Sequence, residues 1–169
     1  MEYNVSSLLK EHTGATRAYD IDEDLVIDGA PHHVAGHARF DRTPDGVLVR
    51  ARLRGTAQGE CSRCLRPATF GVDIEFEEEY IPTVDVHTGV HLPPPPGEED
   101  AFRIDARHIL DLREAARQYW ALALPIAPVC REDCPGLCPV CGEDLTPGHP
   151  CAGDQTDARW AKLADLLPG

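Results

Sequence analysis

The 169-residue sequence predicts an α+β fold: an antiparallel twisted sheet or partly open β-barrel, crossed by one main helix and followed by a small C-terminal zinc-knuckle module. Three observations predict this fold. Apolar and polar residues alternate through much of segment 31–81, which is the period of a half-buried strand. Segment 111–124 carries apolar residues at helical spacing. Five of the seven cysteines lie within the last forty residues, which have too few apolar side chains to fold alone.

The strands are clearest around the turn TPDG at 43–46. After this turn, VLVRARLRG places apolar side chains on one face and arginines on the other. Together with HVAGHARF before the turn, it predicts a hairpin. The later segment ATFGVDIEFEEEYI alternates again, and the absence of a strand–helix–strand rhythm favours antiparallel pairing. The predicted inward residues of the strand after the turn are Val47, Val49, Ala51 and Leu53.

The main helix is predicted over about 111–124. Asp111 can cap its first turn, and Glu114, three residues later, would complete a capping box. Pro125 ends the helix because proline lacks the backbone N–H that a further turn needs. The apolar face of this helix is predicted to comprise Leu112, Ala115, Ala116, Tyr119, Trp120 and Ala123.

We predict two domains. Residues 1–129 form the sheet domain with its packing helix, and they include an exposed proline-rich loop at about 82–101. Residues 130–169 form a cysteine-rich, zinc-binding tail. The segment DARWAKLADLL at 157–167 predicts a short terminal helix.

The charge distribution constrains the partners. A formal net charge of −13 argues against a protein whose whole surface coats nucleic acid. The charge is uneven, however: residues 31–70 carry seven arginines and three acids, whereas residues 71–100 carry nine acids and no lysine or arginine. The sequence lacks a signal-peptide pattern and an apolar stretch of about 20 residues, so we expect a cytoplasmic protein with reduced thiols and no membrane contact.

The cysteine spacing predicts a metal site. Cys130, Cys134, Cys138 and Cys141 form C-x3-C-x3-C-x2-C, and thiolates so spaced can converge on one zinc ion. We favour these four as ligands. The alternates are Cys151, with His149 as a further candidate, or the separate pair Cys61 and Cys64 of CSRC, which could supply two ligands. Four thiolates would close the coordination sphere and make the site structural; an iron–sulfur cluster is the alternative use of four cysteines.

Two further features have competing interpretations. CSRC is a redox pair, half of a metal site or a structural turn, and the flanking strands disfavour the thioredoxin-like redox reading. The arginines of the predicted sheet are candidate phosphate contacts or an ordinary solvated face. The nucleic-acid candidates are Arg50, Arg52, Arg54, Arg63 and Arg66. The sequence shows no nucleophile elbow, phosphate loop or paired-carboxylate motif, so we predict no enzyme and no small-molecule substrate.

The ordered set CSRCLRP, an acidic strand, DLREAARQYWALALP and VCREDCPGLCPVCGEDL resembles the YceD family, over about residues 3–167. This family is linked to the accumulation of large-subunit ribosomal RNA. Some members end the module with C-x-C, whereas Ala152 and Gly153 follow Cys151 here. The first family signature corresponds to Cys61, Arg63, Cys64, Leu65 and Pro67. The second corresponds to Cys130, Cys134, Gly136, Leu137, Cys138, Pro139, Cys141, Gly142 and Cys151.

The resemblance implies a non-catalytic ribosome-biogenesis factor that supports synthesis, processing or stability of large-subunit ribosomal RNA. Its expected partner is precursor large-subunit ribosomal RNA or a ribosomal protein on it. The alternative is an acidic protein-interaction module that docks a ribosomal protein or a nuclease. A thiol or metal enzyme is the third and least supported reading.

Overall fold

The computed structural model describes residues 1–27, 29–94, 101–145, 147 and 149. The prediction for 157–167 and the alternate ligand Cys151 lie outside these residues. Nine elements follow one another along the described chain. They are β1 (Glu2–Asn4), α1 (Ser6–Leu9), β2 (Thr16–Ile27), β3 (Ala30–Arg42), β4 (Val47–Glu60), β5 (Pro67–Pro82), β6 (Phe102–Ile104), β7 (Ile109–Asp111) and α2 (Arg113–Ala123).

The larger sheet has five strands in the order β2-β3-β4-β5-β6. β3 pairs antiparallel with β2 and with β4, whereas the short β6 runs parallel to β5. β1 and β7 form a separate antiparallel pair. The predicted α+β class is confirmed, and of the two predicted forms the sheet takes the open one, since it is mixed and not closed into a barrel.

The predicted hairpin forms at TPDG. Arg42 pairs with Val47, and the backbone N–H of Thr43 donates to the carbonyl of Gly46 at 3.1 Å. The Thr43 hydroxyl accepts the amide of Gly46 at 2.8 Å, so one side chain closes the turn. This turn sets the register of β3 and β4, and therefore which residues of β4 face inward.

Strict alternation along β4 separates the core from the charged surface. Its inward residues are buried, and Val47, Val49 and Leu53 have no exposed surface. The outward side chains of Arg50, Arg52 and Arg54 are exposed. This division follows from the period of two, because successive side chains of a strand point to opposite faces.

Helix α2 begins two residues later than its predicted start, and the predicted capping box does not form. Asp111 ends β7, Leu112 occupies the N-cap, and the helix has no side-chain cap bond. Asp111 instead accepts the amide of Arg113 at 2.9 Å, a local bond that a short carboxylate makes readily. Glu114 does not reach back to the start of the helix, because its carboxylate accepts hydrogen bonds from Arg117 and Gln118.

The buried face of α2 covers part of the core. Trp120 is fully buried, its ring centroid lies 5.6 Å from that of His32, and α2 packs on β2. Neither helix in the described part of the chain has the length and apolar character needed to cross a membrane.

The chain forms two compact units, and their division differs from the predicted one at two segments, 60–68 and 127–129. The sheet unit comprises 1–59 and 69–126, and the cysteine unit comprises 60–68 and 127–169. CSRC therefore belongs with the cysteine-rich tail. In the predicted proline-rich loop, the described part includes a bridge between Val84 and His91, and residues 95–100 lie outside the described chain.

Gly55 in β4 provides a test of the core. A Cβ at this position would lie 2.8 Å from the Trp120 ring and 2.4 Å from the carbonyl oxygen of His33. We expect Gly55→Ala to lower the free energy of unfolding by about 1–3 kcal/mol, because both neighbours are held by the fold. Gly71→Ala in β5 is the matched control, since a Cβ there meets nothing within 4 Å. Denaturant unfolding of both variants measures the difference, and equal effects would contradict this packing.

Candidate metal centre

Four cysteines from two distant segments of the cysteine unit meet at one point. Cys61 and Cys64 come from the connection between β4 and β5, and Cys130 and Cys134 follow α2. All four sulfur atoms lie within 4.8 Å of one another. The Sγ atoms of Cys61 and Cys134 are 3.8 Å apart, as are those of Cys64 and Cys130. We call this group the four-cysteine cluster.

The spacing of the cluster suits a single metal ion. A tetrahedral zinc ion with Zn–S bonds of about 2.3 Å places its sulfur ligands about 3.8 Å apart. A disulfide requires an S–S distance of about 2.05 Å, and all four thiols are free. The cluster could therefore hold one ion without a large rearrangement.

The backbone of residues 61–66, which we call the CSRC turn, presents the first two sulfurs. The amide of Leu65 donates to the carbonyl of Cys61 at 2.9 Å, and the amide of Cys61 donates to the carbonyl of Arg66 at 2.9 Å. Leu65 has a φ of 59°, a left-handed conformation that is uncommon for a residue with a side chain. Such a backbone conformation persists only where the surrounding structure stabilises it, so the interactions of the turn must hold Leu65 in place.

Hydrogen bonds attach the CSRC turn to the second segment. Ser62 donates its amide to the carbonyl of Pro128 at 2.7 Å, and Leu137 donates its amide to the carbonyl of Arg63 at 3.1 Å. Gly136 has a φ of 80°, and a Cβ there would lie 3.0 Å from the same Arg63 oxygen. The glycine of CPGLC thus permits both the left-handed bend and the close approach.

Among the described residues, the apolar support of the cluster is small. Cys61, Cys64 and Cys134 are buried with Ala68, and Val129 and Leu137 pack against them partly buried. Cys130 is exposed. So few apolar side chains provide little hydrophobic stabilisation, which is the situation in which a bound metal contributes directly to folding.

The protonation of the thiols also favours a cation. The backbone amides of Cys130 and Cys64 lower the pKa of Cys61 to about 6, because they donate to the thiolate. Backbone and side-chain donors of Arg66 lower the pKa of Cys64. The hydrogen bond with Cys134, followed by burial, raises the pKa of Cys130 to about 12. The cluster therefore favours deprotonation of Cys61 and Cys64 and opposes deprotonation of Cys130. A bound dication would lower the free-energy cost of deprotonating the remaining thiols.

The structure does not bring the four favoured ligands to one point. Cys130 and Cys134 lie in the four-cysteine cluster, whereas Cys138 and Cys141 lie with His149, and the Sγ of Cys141 is 3.1 Å from the Nε2 of His149. The spacing favoured neighbours along the chain, but the bend at Gly136 separates them. The sequence does contain a signal for two groups, since CSRC and CPVC are separate C-x2-C motifs. Each motif supplies two ligands and needs further ligands from elsewhere in the chain.

The three candidate arginines of β4 face carboxylates. Arg50 contacts Glu77 at 2.5 Å and Asp41 at 2.7 Å. Arg52 and Arg54 share Asp73, at 3.3 and 2.9 Å. The basic and acidic sections of the sequence thus interleave on neighbouring strands. The net charge of each sequence section could not reveal these ion pairs, because they depend on strand order and register.

The other two candidate arginines support the cysteine unit. Arg63 donates from one nitrogen to the carbonyls of Glu132 and Cys134, each at 3.0 Å. Arg66 lies 3.6 Å from Asp144, and its hydrogen bond to the Cys64 sulfur is the main cause that raises the pKa of this guanidinium. The positive charge of Arg66 beside the Cys64 sulfur favours the thiolate form of Cys64.

Residues 49–167 match the model of a family described as Large ribosomal RNA subunit accumulation protein YceD. An uncharacterized protein of Mycobacterium bovis is 37% identical over 134 residues, which are 76% of this chain and 59% of that protein. One of Mycobacterium tuberculosis gives the same values. One of Mycobacterium leprae is 34% identical over 148 residues, 86% of this chain and 64% of that protein. The chain thus spans less than two thirds of these relatives' length. No solved structure matches it.

Metal analysis tests the four-cysteine cluster. We expect Cys61→Ser to lower the metal content by one ion per chain, because three thiolates with one buried hydroxyl bind zinc less well than four thiolates. Ser62→Ala is the matched control, since Ser62 is exposed in the same turn and supplies its backbone amide to Pro128. Elemental analysis after gel filtration measures both. A Cys61→Ser protein with the metal content of the wild type would show that the cluster holds no ion.

Proposed function

The chain belongs to the YceD family, and on that premise we propose that it is a non-catalytic ribosome-biogenesis factor. It supports the synthesis, processing or stability of large-subunit ribosomal RNA in the cytoplasm. The observation that carries this proposal is the family match over residues 49–167, a range that contains all seven cysteines and the paired arginines of β4. The name of the family supplies the large-subunit RNA.

The metal proposed for the four-cysteine cluster is a structural zinc ion. Four thiolates occupy the whole coordination sphere of zinc, which leaves no position for water activation and supports a non-catalytic role. The 3.8 Å sulfur separations support a single ion over a [4Fe–4S] cluster, in which each cysteine binds a different iron and the sulfurs lie farther apart.

The outward face of β4 is the proposed RNA contact. The side chains of Arg50, Arg52 and Arg54 are about half exposed or more, so a phosphate can reach them. Their ion pairs with carboxylates are at the surface, where such pairs contribute about 0–1 kcal/mol. Each phosphate contact would displace a carboxylate, and the carboxylates therefore weaken the binding.

The same face supports a second candidate, which is docking of a basic protein. Four exposed acids project from β5, one more than the three arginines of β4 beside them. They are Asp73, Glu75, Glu77 and Glu79. A ribosomal protein with its own basic residues could form complementary pairs with both signs of this surface.

A deletion strain tests the proposed role. Loss of the gene is expected to lower the ratio of large-subunit to small-subunit ribosomal RNA, and the wild-type gene should restore it. Quantified ribosomal RNA from gradient-purified subunits gives this ratio. A deletion strain whose ratio equals that of its parent would contradict the proposal, whatever surface the protein uses.

Asp73→Asn tests the RNA contact surface. The change frees both Arg52 and Arg54, so we expect it to tighten binding to large-subunit ribosomal RNA by about fivefold at low salt, corresponding to about 1 kcal/mol. The gain should shrink as salt rises. Filter binding or fluorescence anisotropy measures the affinity.

Glu75→Gln is the control for this experiment. It removes the same charge from the same strand, but in the described chain the Glu75 carboxylate accepts no arginine hydrogen bond and attracts Arg52 only through its charge, more weakly than Asp73 does. Equal effects of the two substitutions, together with unchanged binding in an Arg52→Glu/Arg54→Glu variant, would exclude the RNA contact. Partner capture that survives nuclease treatment would then favour the docking alternative.

A further inference from the structure

We propose that Cys138, Cys141 and His149 hold a second zinc ion, separate from the ion proposed for the four-cysteine cluster. The Cys141 Sγ and His149 Nε2 atoms are 3.1 Å apart, and the three ligand atoms lie within 4.8 Å of one another. Two thiolates and an imidazole form a donor set typical of zinc. The proposal does not depend on a ribosomal role.

The backbone of CPVCG repeats that of the CSRC turn. The amide of Gly142 donates to the carbonyl of Cys138 at 2.8 Å, and the amide of Cys138 donates to the carbonyl of Glu143 at 2.7 Å. These two bonds join the same relative positions as the two bonds of the CSRC turn. The residue after the second cysteine is left-handed in both turns, with φ of 75° at Gly142 and 59° at Leu65. The same backbone conformation thus presents Cys61 with Cys64 and Cys138 with Cys141.

The third ligand, His149, lies beyond the CPVCG turn in the sequence. Leu137 bridges antiparallel to Asp144, and the amide of Leu145 donates to the carbonyl of Gly136 at 3.0 Å. The His149 ring lies against the Cys141 sulfur beside this turn. On a tetrahedral zinc ion, a sulfur and a nitrogen ligand lie about 3.6 Å apart, so an ion would separate this pair by only about half an ångström.

The two sites do not compete for ligands. The four-cysteine cluster has four donors of its own, and zinc in a structural site takes four. Cys138 and Cys141 are therefore not needed there. Among the described residues, no further histidine, cysteine or carboxylate joins the second group, so these residues supply three of the four donors that zinc takes.

The second site is the more accessible one. In the second group Cys138 is buried, His149 is half-buried and Cys141 is exposed, whereas three of the four members of the four-cysteine cluster are buried and Cys130 is exposed. A chelator can therefore approach the second ion more easily. We expect zinc to leave the protein in two phases, and the faster phase to belong to the second site.

Zinc content of the full chain tests the assignment. The wild type should contain two zinc ions per chain, and Cys141→Ser and His149→Ala should each contain one. His87→Ala, a change at an exposed histidine remote in sequence from the cysteines, should retain two. Release to a colorimetric chelator should lose its fast phase in Cys141→Ser and keep its slow phase. Because Cys141 is exposed, this substitution should leave the fold intact, which circular dichroism checks.

Cys61→Ser separates failure of this proposal from failure of the four-cysteine cluster. If both sites exist, Cys61→Ser loses the slow phase and keeps the fast one. Two ions per chain in Cys141→Ser and His149→Ala would overturn the second site, as would a wild-type protein with one ion that only Cys61→Ser removes. A single ion lost in both cysteine variants would show one shared centre and would also overturn it.

Discussion

Four sulfur atoms held within 4.8 Å of one another are the constraint on which the cysteine unit depends. In the part of the chain that the structure describes, the apolar side chains around them are small or partly buried, namely Ala68, Val129 and Leu137. Other hydrogen bonds of the unit support this contact. Backbone amides and Arg66 donate to the sulfurs, and Arg63 donates from the first segment to the Cys134 carbonyl of the second. Thiolates at such distances repel one another unless they share a cation, so a metal ion bound at this point would stabilise the fold of the unit.

The sheet unit follows a different principle. Its core comes from strict alternation, whose inward residues are buried and whose outward residues are charged. Because β3, β4 and β5 are neighbours, the basic and acidic stretches of the chain face one another across the strands. The outer face of the sheet therefore carries a mosaic of positive arginine and negative carboxylate side chains. A mosaic discriminates between partners by the arrangement of charge, whereas a uniformly basic surface would bind any polyanion.

The sequence predicted the elements better than their connections. The hairpin at TPDG and the α+β class are confirmed, because local periodicity and turn residues determine them. The capping box failed because Asp111 already belonged to β7 and Glu114 found partners further along the helix. The grouping of cysteines by nearness along the chain did not reproduce the spatial grouping, since the left-handed bend at Gly136 sends Cys134 and Cys138 to different clusters.

By itself the sequence determined which residue types were available: thiols at metal-ligand spacing, an arginine strand, an acidic strand and one apolar helix face. Only the tertiary structure decided their partners. Cys61 meets Cys134 across a sequence separation of 73 residues, and Arg54 meets Asp73 through strand register. The physical reason is that spacing along a chain specifies what one turn or strand can present, whereas ligand sets and ion pairs depend on which segments pack together.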